Sequence, residues 1–282
     1  MKIVDLYTPL LKSLDQGYEG YEFFETQSEF HFFGGMARSW NLDQNAIQSW
    51  LLSPEAMRKR ASAQEYLAES AAVVKKVESI FGCELPGVLL LLPSFGDFDG
   101  FARYDSGEHS VLLGIDFPDS DLNYLKALTA HELSHVYRDH SPKVWAHLGK
   151  PLKDVKRKEY LDAATAQEHL VSEGLATLFS AALFPEITQD VHHYYEPHEW
   201  EWCVKNHAQI ETAFIECLKG DEDVWSFYSP GSAGAGSPSR TQYYWAASKI
   251  RTLITESAHP VSELVALHEK PASEFELFRL KS

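Results

Sequence analysis

The sequence predicts an α+β protein, mostly helical, with a small mixed β-sheet placed just before a helix that carries two histidines. Three observations carry this reading. Long stretches repeat apolar residues at steps of three and four. Short apolar runs bounded by proline and glycine read as strands. Both patterns lead into one motif, His131-Glu132-Leu133-Ser134-His135. The 282 residues, 44% hydrophobic and 23% charged, have ordinary globular composition. They divide into three expected parts: a helical and aromatic region over 1–85, a core over 86–185, and a helical subdomain over 186–282 with a Gly/Ser/Pro loop.

The elements follow in order. Leu6, Leu10, Leu11 and Leu14 indicate a short helix, and the aromatic-dense stretch from Tyr18 to Phe33 reads as core. Ser53-Pro54-Glu55 is a helix start, with an N-cap, a proline at the first helical position and an acid in the first turn. That helix runs to Phe81 on a stripe of Leu67, Ala71, Val74 and Val77, and Gly82 stops it. Gly87 to Leu92, between two prolines, reads as a buried strand. Gly100 to Tyr104 and Ser110 to Ile115 read as a hairpin. Asp121 to Arg138 has helical spacing at Leu122, Leu125, Leu128, Leu133 and Val136, with Asp119 or Ser120 as N-cap. A second helical pattern runs from Glu159 to Leu183. A third, Pro197 to Lys219, places His207 on its apolar stripe as a core histidine, whereas His192, His193 and His198 read as surface loop histidines. Ser229 to Ser239 reads as a mobile loop at the mouth of a cleft. A helix from Thr241 to Glu256 follows, and the tail from Pro260 to Leu280 reads as short helices.

The motif carries the chemistry. Two histidines four apart on a helix sit about 40° from each other around its axis, so both rings point the same way, one turn apart. His131 and His135 can then hold one metal ion, and Glu132 can reach a water at that ion without binding it. A third ligand is needed. Glu173 sits in an apolar face formed by Leu170, Val171, Leu175 and Leu178, where a carboxylate is costly unless paired or on a metal. Glu168 is its rival, in the more polar run Gln167-Glu168-His169. Gly174 and Ala176 are small enough to let this helix approach the motif helix closely. Two imidazoles and a carboxylate suit Zn2+ better than magnesium or calcium, which prefer oxygen shells.

His131-Glu-x-x-His135 followed by Ser172-Glu173-Gly174-Leu175-Ala176 resembles the gluzincins, metallopeptidases whose third zinc ligand is a downstream glutamate. Within that clan the chain is similar to a bacterial family of predicted zinc-dependent proteases, a domain of unknown function. The match runs from about Val88 to the C-terminus. One departure is Gln242-Tyr243-Tyr244-Trp245-Ala246-Ala247, where such sequences tend to read Gly-Tyr-x-x-Gly-Tyr. The resemblance implies a zincin-like fold, zinc-dependent hydrolysis of a peptide or protein substrate with Glu132 as general base, and an edge strand that pairs with the extended substrate. Tyr243 or Tyr244 is the candidate donor to the oxyanion, with an arginine as an alternative. Two other readings stand beside this one. A non-catalytic regulatory or binding module on the same scaffold would have a closed metal site, and hydrolysis of a non-peptide amide or ester would be told apart by substrate profiling.

The formal net charge of −16 argues against nucleic acid and anionic membrane as partners. The 3 cysteines are widely spaced and suggest neither a disulfide framework nor a metal knuckle. The N-terminus lacks a signal-peptide pattern, and no run approaches the roughly 18 apolar residues of a membrane span. A cytoplasmic location is expected.

Overall fold

Strands at both ends of a long helix meet in one sheet. The computed structural model describes residues 1–15, 45, 49–50, 52–94, 98–105, 107–117, 121–220, 224–254 and 260–276. The aromatic stretch 18–33 lies outside the described residues. β1 (Lys2–Asp5) is followed by α1 (Tyr7–Asp15), α2 (Pro54–Phe81), β2 (Val88–Leu92), β3 (Gly100–Asp105) and β4 (Glu108–Gly114). The strand order is β1-β2-β4-β3, with β1, β2 and β4 parallel and β3 antiparallel to β4. The predicted hairpin is therefore present, and β3 is an edge of the sheet among the described residues. β1 is an addition, since four residues without alternation give no strand signal on their own. Leu89 to Leu92 are almost completely buried, as expected of a strand covered on both faces.

The caps explain the helix boundaries. Ser53 Oγ accepts the Ala56 N–H, Pro54 follows, and Gly82 at φ 69° closes α2 in the left-handed conformation that glycine adopts freely. α3 (Leu122–Asp139) starts one residue later than expected: Asp121 itself is the N-cap and accepts the Tyr124 N–H at 2.8 Å, while the expected caps Asp119 and Ser120 lie outside the described residues. The helical pattern from Glu159 to Leu183 splits into α4 (Arg157–Ala163) and α5 (Ala166–Leu183), because Thr165 interrupts the chain and caps α5 through the Glu168 N–H. After α6 (Gln189–His192), the helix expected over Pro197 to Lys219 divides at Asn206 into α7 (Pro197–Lys205) and α8 (His207–Gly220). The break leaves the His207 side chain 42% exposed, near Glu211, instead of in the core. α9 (Thr241–Arg251) and α10 (Pro260–His268) are the last α-helices among the described residues.

One main hydrophobic core joins most of these elements, and a smaller cluster of Tyr104, Val144, Trp145, Leu152 and Val155 packs against α4. Leu89, Leu112, Leu133, Val171, Phe179 and Trp245 are all at or near zero exposure within the main core. α5 packs against both α3 and α9. A second tie is polar. Arg138 on α3 gives Nε and Nη2 to the two carboxylate oxygens of Glu168 on α5, at 2.6 and 2.9 Å. Its Nη1 donates to the carbonyls of His268 and Lys270, which fastens the C-terminal segment to the motif helix.

Gly174 serves a different contact from the one its sequence position suggests. An added Cβ there would lie 2.7 Å from the Ala246 carbonyl carbon, so its missing side chain admits α9, not α3. Helix propensity alone would make Gly174→Ala stabilising by about 1 kcal/mol. Overpacking against backbone reverses the sign, and we expect a net loss of about 1–2 kcal/mol in denaturant unfolding. A more stable variant would refute this contact.

Candidate functional site

The two motif histidines lie midway along α3, on the turn facing α5. His131 Nε2 is 3.1 Å and His135 Nε2 is 3.5 Å from Glu173 Oε2. One ligand atom from each of the three residues lies within 4.8 Å of the others, close enough to share one metal ion. No other histidine, cysteine, aspartate or glutamate joins this group among the described residues. Glu168 is bound to Arg138, and His140 Nε2 contacts His109 Nδ1 at 2.9 Å. The donor set fits a transition-metal ion, because its three atoms are the imidazole and carboxylate types such ions take. Ser172 Oγ, 2.8 Å from His135 Nδ1, orients the second ring. Tyr228, 3.4 Å from Glu173 Oε1 and 3.3 Å from His169 Nε2, braces the carboxylate from outside.

Glu132 is directed differently. Its Oε2 accepts the Ala102 N–H of the edge strand β3, so sheet and motif helix together fix the carboxylate. Burial pushes its pKa up to about 7, with Glu173 and Asp99 adding to the rise and His135 opposing it. Glu173 goes the other way. Burial would raise it, but His135 and the hydrogen bonds from both histidines hold it well below the usual carboxylate range. Burial also opposes charge on His135, yet Glu173, with Glu132 and Asp139 behind it, raises its pKa to about 9.

The cluster opens into a cleft of about 380 Å³. Gly100, Phe101 and Ala102 of β3 form part of its lining, with Tyr194, Tyr228, Arg240 and Tyr243 contributed by later segments. Tyr243 is therefore at the site, its ring centroid 5.6 Å from that of His131. Tyr244 is turned away and packs edge-on to Trp200 and His207. Tyr194 is a residue that periodicity does not reveal. Its ring is edge-on to His131 at 5.3 Å, and its hydroxyl is buried with no hydrogen-bond partner among the described residues. Two neighbouring histidines are buried and not at the surface, because each ring finds backbone or hydroxyl partners. His192 lies between Ser180 Oγ and the Phe184 carbonyl, and His193 contacts the Gln189 carbonyl; His198 is exposed. Burial lowers the pKa of both, to about 4 and about 3. The loop from Ser229 to Ser239 folds on itself through Gly231–Ser237 and Gly234–Ser237 backbone bonds, and Gln209 holds its Ala233 carbonyl. Its flanks, Tyr228 and Arg240, are what reach the cleft.

Comparison of the chain with protein families, with curated proteins and with solved structures gave no match. No helix among the described residues is long and apolar enough to cross a membrane.

Two outcomes follow from this geometry. A divalent transition-metal ion should stabilise the wild type against unfolding, but not Glu173→Ala, by about 2.7 kcal/mol when free ion is at a hundred times its dissociation constant. In metal-free protein the His135 pKa rises from 6.5 to about 9, so its stabilising effect is complete below pH 6.5 and is lost as pH rises through 9. The Glu132 contribution, raised from 4.5 to about 7, is already lost by then. Thermal unfolding should therefore show stability falling between pH 7 and 9, and His135→Ala should flatten that slope.

Proposed function

We propose that the protein is a zinc-dependent peptidase of the gluzincin type on a zincin-like scaffold. The observation that carries this reading is the convergence of His131, His135 and Glu173 within 4.8 Å, with Glu132 beside them at the wall of a cleft. Three protein ligands and no fourth among the described residues are what a catalytic zinc site needs, whereas a structural site is closed. This favours the enzyme over a non-catalytic binding module. An edge strand along the cleft supports a peptide substrate, since its backbone groups can pair with an extended chain.

His131, His135 and Glu173 would hold the ion. Bound there, zinc supplies Lewis acidity toward a water and a carbonyl oxygen. Glu132 takes a proton from the attacking water and hands it to the leaving amine nitrogen. Its pKa near 7 suits both transfers at neutral pH, and its bond from Ala102 keeps one oxygen fixed while the other is free for the proton. Tyr194 and Tyr243, edge-on to His131, are the hydroxyls available to donate to the developing oxyanion, and Tyr194 has no competing partner among the described residues. Both stay protonated, because burial raises their pKa well above the ordinary tyrosine value.

Glu132→Gln should retain one zinc per chain by elemental analysis and lose hydrolysis of a peptide library by about 10²- to 10⁴-fold. Hydrolysis at the wild-type rate, or loss of zinc, would overturn the assignment of base and ligands.

A further inference from the structure

We propose that Arg240 anchors a carboxylate of the substrate, which makes the cleft selective for peptides bearing a carboxylate near the scissile bond. This rests on the peptidase reading and goes beyond it by naming a substrate class. The first observation is charge. In a chain of net charge −16, Arg240 is the sole lysine or arginine among the described residues that line the cleft, where Asp99, Glu132, Asp139, Glu168 and Glu173 are the acids. A cation retained amid so many carboxylates needs a reason.

Asp99 does not exhaust it. Asp99 Oδ2 accepts both the Tyr124 hydroxyl at 2.6 Å and Arg240 Nη1 at 2.8 Å, and its Oδ1 accepts the Gly100 N–H at 2.8 Å. The aspartate side chain is 8% exposed, so it is buried and fully engaged. The arginine side chain is 30% exposed, and a guanidinium has five N–H donors in a planar fork that matches a carboxylate. Asp99, itself held by Tyr124, fixes the fork at Nη1, and the partly exposed arginine lines the cleft.

The backbone is arranged to hold it there. Arg240 (φ 61°) and Tyr194 (φ 59°) are the only non-glycine residues with positive φ among the described residues. Both line the cleft, and the guanidinium carbon lies 5.9 Å from the Tyr194 ring centroid. A left-handed conformation is unfavourable for a side-chain-bearing residue and persists only where surrounding contacts enforce it. Here the Arg240 carbonyl accepts the Tyr195 hydroxyl at 2.8 Å and the Tyr243 N–H at 3.1 Å. The effect is to turn the side chain back across Tyr194 into the site instead of outward from the start of α9.

The carboxylate can come from a free chain end or from an aspartate or glutamate side chain. Two peptide pairs separate these sources: one sequence as free acid and as C-terminal amide, and an amidated sequence with Glu or Gln beside the cleaved bond. The kcat/KM ratio within each pair is read on zinc-loaded full-length wild type, Arg240→Gln and Arg240→Lys, with zinc content and circular dichroism as checks of folding. One ratio should favour the carboxylate by about tenfold or more in wild type, fall to near one in Arg240→Gln, and be partly kept in Arg240→Lys. The pair that responds identifies the source. Ratios near one in wild type, or an unchanged ratio in Arg240→Gln, would overturn the proposal. So would equal loss on both members of a pair with the ratio preserved, which is the signature of an arginine that merely braces Asp99. Should Arg240→Gln fail to fold, Arg240→Lys decides: a lowered ratio supports the anchor and an unchanged one refutes it. If no peptide is cleaved, the peptidase reading fails separately, and calorimetric binding of the same peptides tests the anchor. A tenfold preference for the carboxylate in wild type that the variant loses sustains it, and equal affinities refute it.

Discussion

The ionised carboxylate of Glu173, buried in an otherwise apolar helix, is the constraint around which the other helices are placed. A charge in that position requires partners, and α3 provides them as the two imidazoles of His131 and His135. The same two helices share a second buried pair, Arg138 with Glu168. Partner order runs opposite ways along the two helices, 131 and 135 against 173, then 138 against 168. That pattern requires α3 and α5 to cross in antiparallel sense with a fixed register. Gly174, next to Glu173, lets α9 settle on the other contact surface of α5, which delivers Tyr243 to the cleft.

Two carboxylates a few ångströms from the same histidines have opposite character. Glu173 is surrounded by imidazoles and a tyrosine hydroxyl, so it remains charged. Glu132 receives one backbone N–H and feels the negative charges of Glu173 and Asp99, so it gives up its charge near neutral pH. Environment alone sets the two acids apart in charge, as in other sites where paired carboxylates differ in protonation.

Around this centre the cleft is assembled from pieces far apart in sequence: the edge strand β3, the turn bearing Tyr194, Tyr228 ahead of the Gly/Ser/Pro loop and Arg240 after it. Tyr228 and Tyr194 rest partly on Glu173 and His131 themselves, while the Tyr195 hydroxyl on the Arg240 carbonyl and Gln209 on Ala233 hold the segments around the loop.

The sequence alone determined the elements whose signals are local. Helical spacing with a capping serine and a stop glycine defined α2, apolar runs between prolines defined β2, and a four-residue spacing put His131 and His135 on one face with Glu132 between them. Glu173 was legible because an acid in an apolar stripe is conspicuous. The limits of that reading are also local. β1 was missed because a four-residue strand is specified by its neighbour, not by its own pattern, and Thr165 and Asn206 broke helices whose periodicity ran on through them. Only the tertiary structure shows that Arg138 stands opposite Glu168 and the histidine pair opposite Glu173, since both are helical acids in the same segment. It also chose Tyr243 over Tyr244, added Tyr194 and Tyr228, and buried His192 and His193. Those outcomes depend on which surfaces meet and on two left-handed backbone positions, and neither is encoded in the spacing of residues along one chain segment.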